Sequence, residues 1–182
     1  MKIKKEKNNL KLHSQIRQLT MAAMLTAMSV VIGIMCKNHL NFAKGLFRIT
    51  FENLPIIMAG ILFGPVVGGL VGIATDIISY FFSSQVYPPN LIVTFGAMSV
   101  GVVSGLISKY IYPKKGTKQI ILSGVFAHVV GSMIIKSIGL YQFYQMAVLV
   151  RIPLYLIIAT LEILLLCVLF SRRSFRRLTE YY

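Results

Sequence analysis

The stretch that decides the fold is residues 54–76, LPIIMAGILFGPVVGGLVGIATD. It is apolar almost throughout, and its pattern is interrupted once, at Gly64-Pro65. Proline does not continue a helix comfortably and holds the preceding residue in extended or turn geometry, but it can begin a new helix. The stretch therefore predicts two helices, over 54–63 and 65–82, joined by a tight turn.

Apolar runs on both sides of this pair predict the rest of the architecture. They indicate further helices over 18–35, 90–108, 119–140 and 147–170. Hydrophobic residues make up 56% of the 182-residue chain, which is more than one soluble core of this size buries. A spanning helix needs about 20 apolar residues. We expect an all-α integral membrane protein, with six transmembrane helices in a compact bundle over 18–171 and basic tails over 1–17 and 172–182.

Basic residues predict the orientation of this bundle. Of the 19 Lys and Arg residues, 14 lie in the two tails and the 109–118 loop, which six spans place on one side. The positive-inside rule makes that side cytoplasmic, so both termini are expected there, with no signal peptide. Attraction to anionic lipid accounts for the net charge of +14, and we expect no nucleic-acid partner.

Polar residues inside the predicted spans are scarce and gather in the outer half. His128, Ser132 and Lys136 recur at every fourth position and form one stripe. Ionisable groups within a membrane are costly and usually mark function. We therefore predict an outward-facing ligand cavity closed on the inner side. Its candidate binding residues are Arg48, Phe51, Glu52, Asp76, Tyr80, Asn90, Phe95, His128, Lys136 and Arg151.

Structural alternatives stay open for several of these side chains. Lys136 and Arg151 can extend to outer lipid headgroups. His128 and Asp76 can hydrogen-bond a neighbouring helix or the backbone. Glu162 lies in the inner half and is interpreted as a structural or assembly contact.

Catalytic motifs are missing from the sequence. It has no GxxxxGK[ST], HExxH or GxSxG motif and no Cys/His metal cluster. The sequence therefore predicts that the chain is not an enzyme and carries no cofactor.

Residues 48–76, RITFENLPIIMAGILFGPVVGGLVGIATD, resemble the signature of the S components of energy-coupling factor (ECF) vitamin transporters, in the form typical of the folate-specific group. The resemblance implies a six-helix protein of a prokaryotic plasma membrane that captures folate outside the cell. It also implies docking on a shared module, made of a coupling membrane subunit and two ATPase subunits that use ATP.

The resemblance also implies roles for particular residues. Glu52 or Asp76 is expected to accept two hydrogen bonds from the pterin edge. The aromatic candidates would stack on the rings, and the cationic ones would meet the glutamate tail near the mouth. A surface of small residues on the first helix, Ala22, Ala23, Thr26 and Ala27, is expected to dock on the coupling subunit.

Two other functions stay open at this stage. One is an S component for another vitamin or small heterocycle. The other is a stand-alone proton-coupled transporter, in which Asp76 or Glu162 would carry the proton.

Overall fold

The computed structural model describes residues 2–42, 47–82, 90–145 and 151–172. This part of the chain forms six helices and one very short hairpin. The elements in order are α1 (Lys2–His39), β1 (Asn41–Phe42), β2 (Phe47–Arg48), α2 (Asn53–Phe63), α3 (Pro65–Phe82), α4 (Leu91–Leu106, ending in the π-helical turn Ile107–Ile111), α5 (Thr117–Ala127, the π-helical segment His128–Ile135, and Lys136–Tyr144) and α6 (Arg151–Ser171).

Five of these helices are long and apolar enough to cross a membrane. The exception is α2, whose 11 residues extend about 16 Å and do not cross a hydrocarbon core of about 30 Å. Every residue of α2 is buried, and the helix packs against α1, α3 and α4. The prediction of six helices is confirmed, but α2 is an internal helix too short to span by itself. The segment before it consequently descends into the bundle.

The first helix is longer than the sequence analysis predicts. It begins at Lys2 instead of residue 18 and continues to His39 instead of residue 35. Residues 2–17 contain neither Gly nor Pro, so nothing in them ends the helix where the apolar run ends. The predicted limit at residue 18 reflects the change in polarity, and the apolar part of α1 runs over Leu12–Cys36.

A short antiparallel ladder occupies the predicted loop between α1 and α2. Asn41 pairs with Arg48, and Phe42 pairs with Phe47. The amide of Ile49 also donates to the carbonyl oxygen of Leu40 at 3.2 Å. This ladder precedes the segment that leads into α2.

Glycines allow α2, α3 and α4 to approach almost backbone to backbone. A β-carbon on Gly101 would overlap the carbonyl oxygen of Gly68, and one on Gly60 would overlap the hydroxyl of Ser104. A β-carbon on Gly105 would overlap the Gly64-Pro65 turn. Small residues at such spacing permit close helix packing where lipid provides no hydrophobic drive between helices. The glycines of the 54–76 stretch thus serve intramolecular packing.

Adding one methyl group at Gly101 should weaken this contact. We expect Gly101→Ala to lower the free energy of unfolding by about 1–3 kcal/mol, because the new atom must displace backbone. That loss corresponds to a fall in apparent Tm of about 2–12 °C in detergent for a chain of this length. Gly116→Ala is the matched control, since a β-carbon there meets nothing within 4 Å. An unchanged Tm for Gly101→Ala would contradict the packing.

Candidate ligand-binding site

A polar cavity lies at one end of the bundle. Its walls come from the segment entering α2, the first turns of α4 and α6, and the second half of α5. The α4–α5 connection over 112–116, with its lysines, is at the opposite end. The cavity encloses about 40 Å³ and is lined by Thr50, Glu52, Asn53, Val93, His128, Ser132, Lys136, Leu140, Tyr155 and Ile158.

Helix α5 supplies a continuous stripe of this lining. His128, Ser132, Lys136 and Leu140 follow each other at intervals of four residues. The first three share the cavity face, as their spacing predicts. The stripe begins in the π-helical segment His128–Ile135. Such segments widen a helix locally and are frequent at functional sites.

A buried ion pair closes the cavity between α5 and the segment entering α2. The Lys136 ammonium Nζ lies 3.5 Å from the carboxylate Oε1 of Glu52 and donates to Oδ1 of Asn53 at 3.1 Å. The Asn53 amide donates in turn to the Ser132 hydroxyl at 3.4 Å. From α1, the Ser29 hydroxyl donates to the Glu52 carbonyl oxygen at 2.6 Å. Because Lys136 faces Glu52 inside the bundle, it does not extend to lipid headgroups.

A second close contact between ionisable side chains lies behind the same wall. Nε2 of His128 is 2.7 Å from Oε2 of Glu162, in an arrangement that is short but not aligned as a linear hydrogen bond. The two side chains are 3% and 0% exposed. His128 lines the cavity, whereas Glu162 supports it from α6. Glu162, which the sequence predicted to lie in the inner half, thus contacts a residue of the cavity wall, His128.

Asp76 and Asn90 hold helices together around the cavity. The Thr94 hydroxyl donates to Oδ2 of Asp76 at 2.7 Å, which ties α4 to α3. The Asn90 side chain accepts from the amide of Ile92 and donates to the Gly139 carbonyl oxygen, each at 2.8 Å. Asn90 therefore caps α4 and ties its start to α5.

Two of the three candidate aromatic residues, Tyr80 and Phe95, lie away from the cavity walls that the described residues form. Tyr80 contacts Phe81 edge-on, with ring centroids 5.8 Å apart. Phe95 is 61% exposed on the outside of the bundle. Phe51 is half-buried and lies in sequence between the lining residues Thr50 and Glu52. The structure therefore does not bring Tyr80 and Phe95 together with Glu52, His128 and Lys136.

The two candidate arginines are described by backbone only. Arg48 ends β2, and Arg151 begins α6, one turn before the lining residue Tyr155. Their side chains lie outside the described part of the chain, so their predicted roles stay predictions.

Four polar lining residues are additional to the sequence-based candidates, namely Thr50, Asn53, Ser132 and Tyr155. Asn53 directly follows Glu52, and Ser132 belongs to the predicted α5 stripe, so the sequence position of each indicated that it lies near the site. For Tyr155, the sequence offered only one indication of a place in the site, namely its spacing of one helical turn from Arg151. Its position depends on how α6 is rotated against α5, which sequence periodicity leaves open.

The small residues of α1 divide between two environments. Ala22 is buried in the hydrophobic core, and the Thr26 hydroxyl donates to its carbonyl oxygen at 2.9 Å. Ala23 and Ala27 are exposed. Ala22, Ala23 and Thr26 line an apolar groove of about 470 Å³ on the outside of the bundle between α1 and α3.

Comparison with known proteins identifies the family. The model of the ECF transporter substrate-specific component family matches residues 17–175, nearly the whole chain. The chain belongs to this family. It is a transport protein and not an enzyme, and the S-component resemblance of residues 48–76 is confirmed.

One curated relative is a folate transporter. The S component is 28% identical over 99 residues to the folate transporter FolT of Clostridium novyi (strain NT). The aligned region covers 53% of this chain and 55% of that protein. The chain thus matches about half the length of this curated relative.

Removing one member of the buried ion pair should destabilise the S component. We expect Lys136→Met to lower the free energy of unfolding by about 3–5 kcal/mol, because it removes the buried cation that faces Glu52. The double variant Lys136→Met with Glu52→Gln should recover much of this loss, since no buried charge then remains at the pair. Thermal unfolding in detergent measures both.

The control for this experiment is Lys118→Met, at an exposed position of α5. A loss for Lys136→Met no larger than that of Lys118→Met would contradict a structural role of the pair.

Proposed function

We propose that this S component binds folate with high affinity outside the cell and delivers it to an ATP-driven ECF uptake module in a prokaryotic plasma membrane. The observation that carries this proposal is the buried polar cavity around Glu52, Asn53, Lys136 and His128 in a chain of the S-component family. The similarity to a folate transporter supports folate as the cargo.

The lysines support an outward-facing cavity. The 109–118 loop carries four lysines at the end of the bundle opposite the cavity. By the positive-inside rule this loop is cytoplasmic, which makes both termini cytoplasmic and the cavity end external.

The cavity chemistry suits the pterin ring of folate. The amino-pyrimidinone edge of a pterin offers adjacent N–H donors, and a buried carboxylate such as Glu52 is their natural acceptor. Tyr155 and Phe51 provide rings for stacking near this carboxylate. The glutamate tail of folate would lie toward the mouth, where Arg48 and Arg151 meet its carboxylates and where charge is less costly to desolvate.

Folate needs more room than the described conformation provides. The cavity of about 40 Å³ has room for a few water molecules, since one water needs about 10–15 Å³ of such space. Ligand sites usually measure about 300–1,000 Å³. Binding of folate would therefore move the segment 49–53 away from α5 and α6.

The groove between α1 and α3 supports docking on a coupling membrane subunit. Its lining comes from the middle of α1 and the first half of α3, and both helices start at the cytoplasmic end in this orientation. An apolar helix of a membrane subunit would pack closely against the small side chains of Ala22, Ala23 and Thr26. Ala27, exposed one turn beyond Ala23, extends this surface. Two ATPase subunits would then act through the coupling subunit.

Titration of the purified S component with vitamins tests the cargo. We expect folate to bind more tightly than riboflavin, thiamine or biotin in isothermal titration calorimetry. Glu52→Gln should weaken folate by about tenfold or more, because it removes a charged acceptor from the pterin edge. Asp76→Asn is the matched control at a carboxylate outside the described cavity lining, and it should bind like the wild type. Tighter binding of another vitamin would contradict folate.

Substitution on α1 tests the docking surface. Ala23→Leu and Ala27→Leu should abolish co-purification with a coupling subunit and leave folate affinity unchanged, because the added side chains separate the helices. Met28→Phe, on the other exposed flank of α1, should retain both properties. Accumulation of folate in liposomes by this chain alone, driven by a pH gradient, would instead support the stand-alone transporter.

A further inference from the structure

Glu162 occupies an unusual position for a carboxylate. It is fully buried in α6, and neither of its oxygens has a hydrogen-bond partner among the described residues. The short contact with Nε2 of His128 is the interaction that the structure provides for it. A carboxylate in so apolar a place is costly to leave as an isolated anion.

Charge neutrality determines how the pair can hold its protons. If the carboxylate is ionised, a neutral pair requires an imidazolium ring, in which both nitrogens carry hydrogen. If the carboxyl group keeps its proton, it donates to Nε2, and the neutral ring then carries its hydrogen on Nδ1. Both neutral arrangements put a hydrogen on Nδ1. The remaining arrangement, a neutral ring with Nε2–H against an ionised carboxylate, leaves a buried net negative charge.

The His128 ring also lines the cavity. His128 lies eight residues before Lys136 on α5, so it lines the end of the cavity that is farther from Lys136. Because Nε2 faces Glu162, Nδ1 is the ring nitrogen left to meet a ligand that reaches this depth.

From these observations we infer that Glu162 is a positioning residue that, by its contact with Nε2, makes Nδ1 of His128 a hydrogen-bond donor for an acceptor atom at the buried end of the ligand. This inference rests on the proposed binding site, and it specifies the ligand further. The deep end of the ligand must carry a carbonyl oxygen or an unprotonated ring nitrogen. Glu162 does not touch the ligand but determines which of its atoms His128 recognises.

Nitrogen-15 NMR of labelled histidine tests the inference without any ligand. The chain has three histidines, and the signal absent from His128→Leu identifies His128. We expect a hydrogen on Nδ1 in the wild type. In Glu162→Met, which has similar volume and no charge, the hydrogen should no longer be confined to Nδ1 but be shared with Nε2, because nothing then fixes the tautomer of the ring. Leu166→Met, a buried position one turn further along α6, is the control and should leave the signal unchanged.

Folate affinity provides a second readout. Glu162→Met and His128→Leu should each weaken binding by about tenfold or more, and the double variant should bind no more weakly than His128→Leu alone. Additive losses, or a wild-type Nδ1 without hydrogen, would overturn the inference. A wild type that binds no folate but shows hydrogen on Nδ1 would overturn the folate proposal and leave the positioning role supported.

Discussion

Lys136 and Glu52 bring opposite charges into an apolar bundle, and the polar contacts at the cavity end of the structure surround this pair. A buried ion is tolerated only when a partner and further hydrogen bonds replace the water it loses. Asn53 accepts a hydrogen bond from Lys136 and donates one to Ser132, and Ser29 anchors the Glu52 backbone from α1. The network therefore joins α1, α2 and α5 at the point where a ligand would enter.

The short α2 makes this arrangement possible. A full-length helix would carry residues 50–53 to the membrane surface, where water would solvate Glu52. With only 11 residues, α2 leaves the preceding segment inside the bundle, against α5. The glycine contacts at Gly60, Gly68 and Gly101 hold α2 tightly against α3 and α4. Close packing of α2 against α3 and α4 thus holds the polar residues at the start of α2 in place at the cavity.

Two carboxylates serve the cavity in different ways. Glu52 lines it directly and is neutralised by a lysine, whereas Glu162 stands behind it and contacts a histidine. A cavity built in this way can offer an acceptor at one point and a donor at another. That combination suits a heterocycle with both kinds of edge, such as the pterin in the proposed cargo. The tight volume of about 40 Å³ means that ligand selection and conformational opening would occur together.

The sequence by itself determined the helical class, the break at Gly64-Pro65, the uneven distribution of basic residues and the family, because these depend on local propensity and on the preference of apolar residues for lipid. It also predicted that His128, Ser132 and Lys136 share a face, since helical spacing is a local property. Only the tertiary structure decided which residues meet across helices. The packing separated Glu52, which lines the cavity, from Asp76, which bonds Thr94, and it brought Glu162 to His128 and Tyr155 to the wall. These outcomes depend on helix rotation and depth, which are set by contacts between residues far apart in the chain.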